Sequence, residues 1–185
     1  MPAVSDPLER AKQVVVDFDE AIDQSVDRIR GHRGLDRLMY GASELGNWSL
    51  IWHLVGSGRG LLPRRDPMSA VRVSAILGME SLLVNGAIKS LFRRHRPVWE
   101  EDRPRPHRVR TPHTSSFPSG HASSAFTAAG ILSQGDPLWP LYYGIAAVVS
   151  SSRAYVKVHH ASDVLAGAAL GIGLAGLARR VWPRP

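Results

Sequence analysis

The stretch Phe117-Pro118-Ser119-Gly120-His121 gathers a hydroxyl, a glycine amide and an imidazole at one turn, directly ahead of a long run of small and apolar residues. Pro118 disfavours helix in the residue before it and is itself accepted at a helix start, while Gly120 lets backbone approach a ligand with no Cβ in the way. A helix is therefore predicted to begin between Ser119 and Ala122. Its unpaired N-terminal amides and its dipole favour a phosphate-like anion, beside which His121 has a proton to give. A serine N-cap with an incidental histidine reads the same five residues equally well.

Two flanking groups shift that balance. Upstream, Lys89 and Arg96 are seven residues apart, two helical turns if the helix persists, so both cations can face one cavity. Downstream, Ser152-Arg153 is followed by His159 and Asp163. Arg153 is a third cation able to bind phosphate with two parallel bonds, and an aspartate four residues after a histidine can make the hydrogen bond that orients a nucleophilic or basic imidazole. A cationic pocket with two histidines and one carboxylate is equipped for phosphoryl transfer.

In this order, Lys89-x6-Arg96-Pro97, Pro118-Ser119-Gly120-His121 and Ser152-Arg153-x5-His159-x3-Asp163 resemble the three-part signature of the type 2 phosphatidic acid phosphatase superfamily. That superfamily includes lipid phosphatases, bacterial acid phosphatases and vanadium haloperoxidases. Every signature position is present between Lys89 and Asp163, and Leu35 to Trp52 is loosely similar to the family's upstream helix and Leu-Gly turn. The resemblance implies that His159 is the nucleophile, attacking phosphorus to give a phosphohistidine, with Asp163 fixing its tautomer. It implies that His121 protonates the leaving oxygen and then activates water, and that Lys89, Arg96 and Arg153, with Ser119 and the Gly120 amide, hold the phosphoryl oxygens. No metal and no cofactor are expected. His160 matches no signature position and is treated as a neighbour of the nucleophile.

The implied fold is all-α, an integral membrane helical bundle of about five spans with an N-terminal amphipathic helix. One phosphatase domain is expected over residues 1–185: an amphipathic region at 1–38 and a transmembrane catalytic bundle at 39–182, with 93–117 as an active-site loop. The expected partners are the membrane and a lipid phosphate. The Arg93-Arg94-His95-Arg96-Pro97 form of the first motif and the Lys-poor composition resemble actinobacterial members acting on polyprenyl-linked sugar phosphates such as decaprenylphosphoryl phosphoribose. Undecaprenyl pyrophosphate, phosphatidate and phosphatidylglycerophosphate stay open as substrates. Two other classes compete: a vanadate-dependent haloperoxidase using the same oxyanion pocket, and a non-enzymatic protein that binds anionic lipid through its arginines.

Composition is compatible with this reading. A length of 185 residues suits one domain, and the net charge of +7 suits phosphorylated, lipid or nucleic-acid partners. The chain has none of the zinc motifs or basic-aromatic interleaving of nucleic-acid readers, so nucleic acid is not an expected partner. With no cysteine, disulfides and thiolate chemistry are excluded. A mean hydropathy of -0.11 averages a polar start and an arginine-rich loop with far more apolar segments. No signal peptide is expected from the polar, acidic first residues.

Along the chain, Val14, Val15, Phe18, Ile22, Val26 and Ile29 recur at spacings of three and four, predicting an amphipathic helix over 8–30. It rests on anionic lipid or across the mouth of the bundle. A first span is read at 39–62, ended by Gly56-Ser57-Gly58-Arg59-Gly60, and a second at 68–91, with Glu80 and Asn85 turned inward. His53 reads as a packing or interhelical residue. Residues 93–116 read as a loop with seven arginines, whose His95 and His107, like His113, carry no catalytic role. Helices follow over 122–132, 138–151 and 163–181. If the spans alternate, the signature residues all fall on one membrane face. Setting Lys89, Arg96 and Arg153 aside, that face has thirteen Lys/Arg against seven on the other, so the positive-inside rule predicts a cytoplasmic active site.

Overall fold

Asp6 opens the first helix, its side chain accepting from Leu8 N at 2.9 Å, with Pro7 at a position that needs no donor. The computed structural model describes residues 6–61, 68–99, 109, 111 and 114–183, and these contain helices and turns with no strand. Helix α1 spans Pro7–Asp27 and α2 Arg33–Leu45; α3 spans Leu50–Leu61 and α4 Ser69–Ser81. Helix α5 spans Gly120–Leu132, α6 Trp139–Tyr155 and α7 Ala161–Val181. Among the described residues, two helical stretches are long and apolar enough to cross a membrane, Ser69–Leu91 with 23 residues and Ala161–Val181 with 21.

Helix α5 is the centre of the bundle. Apart from His121 and Phe126, its residues from Gly120 to Leu132 are buried, which explains their small size: Ala, Ser and Gly let neighbouring backbones close in. The closest approach is to α7, where a Cβ added at Gly171 would lie 2.3 Å from the carbonyl oxygen of Ser123. Thr127 Oγ1 bonds the Gly171 carbonyl across the same contact at 3.2 Å. Trp52, Val73, Leu77, Leu132, Tyr142 and Val149 fill the remaining core between α3, α4, α5 and α6.

The helices alternate in direction. Arg59 of α3 pairs with Asp136 at 2.8 Å and bonds the Leu132 carbonyl at the end of α5, and Arg179 of α7 bonds the carbonyl of Gly130. The C-terminal ends of α3, α5 and α7 therefore gather at one end of the bundle. The starts of α5 and α7 and the end of α6 lie at the other. At this second end α1 is fastened to the bundle: Lys157 lies 3.2 Å from Asp23, and Arg30, paired with Asp23 at 2.8 Å, donates to the Tyr155 carbonyl at 2.8 Å. The helix thus packs at the mouth of the bundle, with Val14, Phe18 and Ile22 left exposed.

Four expectations are corrected. The single helix over 39–62 is broken at Gly46–Ser49, where Trp48 and Ser49 take φ of 56° and 55°. Tertiary packing imposes the break, because Gly46 is pressed against His121 and Val149. The expected glycine-rich breaker stays helical to Leu61, with Gly56 buried against Ala70 and Val73 of α4. Helix does not persist from Lys89 to Arg96: after α4 the chain winds through a π turn, Leu82–Ala87, and a 3-10 turn, Ile88–Leu91, and then extends at Phe92. Glu80 is buried, whereas Asn85 is exposed and donates to Ser81 Oγ at 3.1 Å. His53 bridges α3 to α4 through Ser74 Oγ at 2.9 Å. His107 and His113 lie outside the described residues.

Because the α5–α7 contact has no room for a methyl group, Gly171→Ala is expected to cost about 1–3 kcal/mol. Gly173→Ala, where an added Cβ meets nothing within 4 Å, is expected to be neutral or slightly stabilising. Thermal unfolding of the two variants in detergent measures the difference; equal midpoints would contradict this packing.

Candidate active site

Ser119 is the N-cap of α5, its Oγ accepting from Ala122 N at 3.4 Å, and its own N–H donates to the carbonyl of Asp163 at 3.0 Å. Its oxygen accepts this capping bond while its O–H remains a donor, and the residue is fully buried. Gly120 follows as the first helical residue, with Asn85 Oδ1 so near that a Cβ would lie 2.6 Å from it. One residue on, His121 Nε2 meets Asn47 Oδ1 at 3.0 Å. The Asn47 amide nitrogen donates to Glu44 Oε2 at 3.0 Å, which turns its oxygen toward the ring, so Nε2 of His121 carries a proton.

His159 sits in the turn joining α6 to α7. Lys157, with φ of 52°, reverses the chain, and the amides of Val158 and His159 both donate to the Arg153 carbonyl, at 3.1 and 3.2 Å. Arg96 NH1 lies 3.3 Å from His159 Nε2 and donates to the Val158 carbonyl at 2.7 Å. A guanidinium only donates, so Nε2 is the acceptor and the proton of the neutral ring is on Nδ1. That nitrogen faces Asp163 Oδ2 at 3.7 Å, too far for a hydrogen bond, and has no partner among the described residues. Asp163, itself fully buried, instead accepts from His160 N at 2.9 Å through Oδ2 and from Arg94 NH1 at 2.6 Å through Oδ1.

Three cations converge here. Arg153 is buried, bonds Ser43 Oγ and leaves Nε without a partner among the described residues; Lys89 is buried on its 3-10 turn. The charges of Arg153, Arg96 and Lys89 all act on His159, and they reinforce the burial that is the main cause of its pKa being carried down to about 3, against the opposing pull of Asp163. Burial also lowers Arg96, with Asp163 opposing. Like charges gathered out of water are costly unless an anion joins them.

All eight residues singled out from the sequence lie at this end of the bundle. Sequence reasoning missed Asn47, Ser43, Arg94 and Asp19. Asn47 and Ser43 lie in the stretch 35–52, whose loose family likeness marks no individual residue; Arg94 is one of seven arginines in its loop, and Asp19 one of several acids on α1. A cavity of about 250 Å³ opens on the α1 side of His159, lined by Val16, Asp19, Arg94, Val98 and His160 among others. His159 is part of its lining, whereas Lys89, Arg96, Arg153 and His121 are not.

An all-helical bundle with an imidazole, a carboxylate and three cations at one end defines an oxyanion enzyme of a known kind, and the chain belongs to the PAP2 superfamily, whose model matches residues 69–185. It is a phosphoric monoester hydrolase of that family. It is 35% identical over 133 residues to the decaprenylphosphoryl-5-phosphoribose phosphatase of Mycobacterium tuberculosis, covering 71% of each chain. It is 30% identical over 167 residues to phosphatidylglycerophosphatase B of Bacillus subtilis, covering 83% of this chain and 78% of the other. The crystal structure of a transmembrane PAP2-type phosphatidylglycerolphosphate phosphatase from Bacillus subtilis superposes with a TM-score of 0.68 at 27% identity, covering 91% of this chain and 86% of that one.

A histidine buried in its neutral form links folding to pH. Unfolded, His159 takes up a proton near 6.5; folded, it resists protonation until about 3, so its contribution to stability is complete above 6.5 and is lost as pH falls through that window. The unfolding midpoint of the wild type is expected to drop more steeply between these limits than that of His159→Gln. Parallel curves would contradict a neutral, buried His159.

Proposed function

We propose that this chain is an integral membrane lipid phosphate phosphatase, a single phosphatase domain over 1–185, that works through a phosphohistidine on His159. The observation that carries this is the orientation of His159: its Nε2 lone pair points at Arg96 within a cluster of three cations, and its Nδ1 proton points at Asp163. In the first step a P–N bond forms at Nε2 as the P–O bond to the leaving oxygen of the substrate breaks, for a sugar phosphate the oxygen of the sugar hydroxyl, and His121, protonated on both ring nitrogens, gives one proton to that oxygen and is left neutral. In the second step water takes the phosphoryl group, its proton passes to His121, and the P–N bond breaks. Lys89, Arg96 and Arg153, with the Gly120 amide, hold the three outer oxygens as charge builds on them.

The favoured substrate is a polyprenyl phosphate carrying a sugar phosphate, such as decaprenylphosphoryl phosphoribose, supported by the mycobacterial relative. Undecaprenyl pyrophosphate, phosphatidate and phosphatidylglycerophosphate are the alternatives. The test is phosphate release from each lipid by purified protein, with and without chelator. Chelator-resistant release is expected, greatest from the polyprenyl sugar phosphate, and abolished by His159→Ala and His121→Ala but largely kept by His53→Ala. Equal losses for all three variants, or an absolute need for magnesium, would overturn the mechanism.

We further propose that α3, α4 with its continuation to Leu91, α5, α6 and α7 are five crossing segments, with the amphipathic α1 on the active-site face. Helices α3 and α5 rise only about 18–20 Å, so the bilayer would have to thin around them or the neighbouring helices shield their ends. Thirteen non-catalytic Lys/Arg on the active-site face against seven on the other favour a pocket opening to the cytoplasm. Val98, 84% exposed beside the pocket in a cysteine-free chain, reports on this. A Val98→Cys protein is expected to resist an impermeant maleimide in intact cells whose outer barrier has been opened, and to react after lysis. Labelling before lysis would place the pocket outside.

A further inference from the structure

We infer that the N-terminal helix supplies a working part of the active site: Asp19 of α1 holds Arg94 against Asp163, and the pair acts as positioning residues for the His159–Asp163 couple. This rests on the reading of His159 as nucleophile. Asp19 is 6% exposed on a helix whose other residues from Asp6 to Ala21 are exposed. A carboxylate is buried this far only when its lone pairs are occupied, and here they are. Oδ1 accepts from Ser162 N at 2.8 Å, and Oδ2 accepts from Ser162 Oγ at 2.7 Å and from Arg94 NH2 at 2.5 Å. Asp19 thus caps the first turn of α7 from a helix 143 residues away, where its charge also suits the helix dipole.

Arg94 turns its second terminal nitrogen to Ser162 Oγ at 2.7 Å and Asp163 Oδ1 at 2.6 Å. With Oδ1 tied to Arg94 and Oδ2 tied to His160 N, the carboxylate of Asp163 has one orientation, and in it Oδ2 faces His159 Nδ1. The charges alternate along the line Asp19, Arg94, Asp163. When phosphorus bonds to Nε2 the ring gains positive charge, and Asp163 has only to close from 3.7 Å onto the Nδ1 proton. Asp19 has a second effect. It engages a guanidinium that would otherwise be drawn toward the phosphoryl anion and away from Asp163.

The experiment is steady-state phosphate release by the full-length protein, with activity counted per folded molecule from a thermal unfolding trace. Asp19→Asn is expected to lower kcat about tenfold and Arg94→Gln about thirtyfold, the scale of a misplaced catalytic group, with KM changed by less than about twofold. Arg94→Lys should recover part of the loss. The Asp19→Asn/Arg94→Gln double variant should be no slower than Arg94→Gln alone, because the two act as one unit. Unchanged kcat per folded molecule in the single variants, or losses that multiply in the double, would overturn the inference. Should Asp19→Asn fold poorly, Asp19→Glu decides, since it keeps the charge but displaces it: kcat must still fall, and an unchanged kcat overturns the inference. His159→Ala keeps the two ideas apart. If it retains activity, the nucleophile assignment fails; if it is inactive while Asp19→Asn is fully active, only the role of α1 fails.

Discussion

Ser119 N donates to the carbonyl of Asp163 at 3.0 Å, and this bond ties the first turn of α5 to the first turn of α7. Around it the two helices approach so closely that a Cβ at Gly167 would lie 2.4 Å from the Ser119 carbonyl oxygen. His121 lies in the first turn of α5 and His159 stands just ahead of α7, so the separation of the two imidazoles is set by this contact. Rigid placement of this sort is what a two-histidine phosphoryl transfer requires, because proton donor and nucleophile must reach opposite sides of one phosphorus.

The electrostatics follow from the same crowding. Lys89, Arg96 and Arg153 come from three separate segments and converge where water is scarce, with their fields acting together on His159. Such a cluster disfavours the imidazolium and favours any anion that enters. A nucleophile that is neutral, with its lone pair exposed to a cationic pocket, needs no base to remove a proton before it attacks. In the proposed reaction the pocket that binds the phosphoryl group therefore also prepares the group that attacks it.

The first helix illustrates how one element can meet two demands. Its Val14, Phe18 and Ile22 remain exposed, while Asp19, Asp23 and Asp27 engage Arg94, Arg30 and Lys157 at the mouth of the bundle. The acidic stripe is bonded to protein. The apolar residues are left facing outward, in the arrangement expected of a helix that borders a membrane surface.

Much of this was legible in the sequence, because some signals are local. The turn at Pro118 to His121, the cap at Ser119 and the four-residue spacing of His159 and Asp163 depend on neighbouring residues and could be read directly. The gathering of Lys89, Arg96 and Arg153 could be anticipated from motif order, although the helical face expected for the first two was replaced by a turn and an extended strand of chain. The break at Gly46–Ser49, the Asn47 contact with His121 across 74 residues and the Asp19 contact with Ser162 across 143 had no local signature. They arise where separate helices meet, and an aspartate on an exposed helix looks the same in sequence whether it faces solvent or a buried arginine. The sequence by itself determined which groups could bind and transfer a phosphoryl unit. Only the tertiary structure decided which nitrogen of His159 meets Arg96 and which faces Asp163, because tautomer and orientation depend on partners that the chain brings together only on folding.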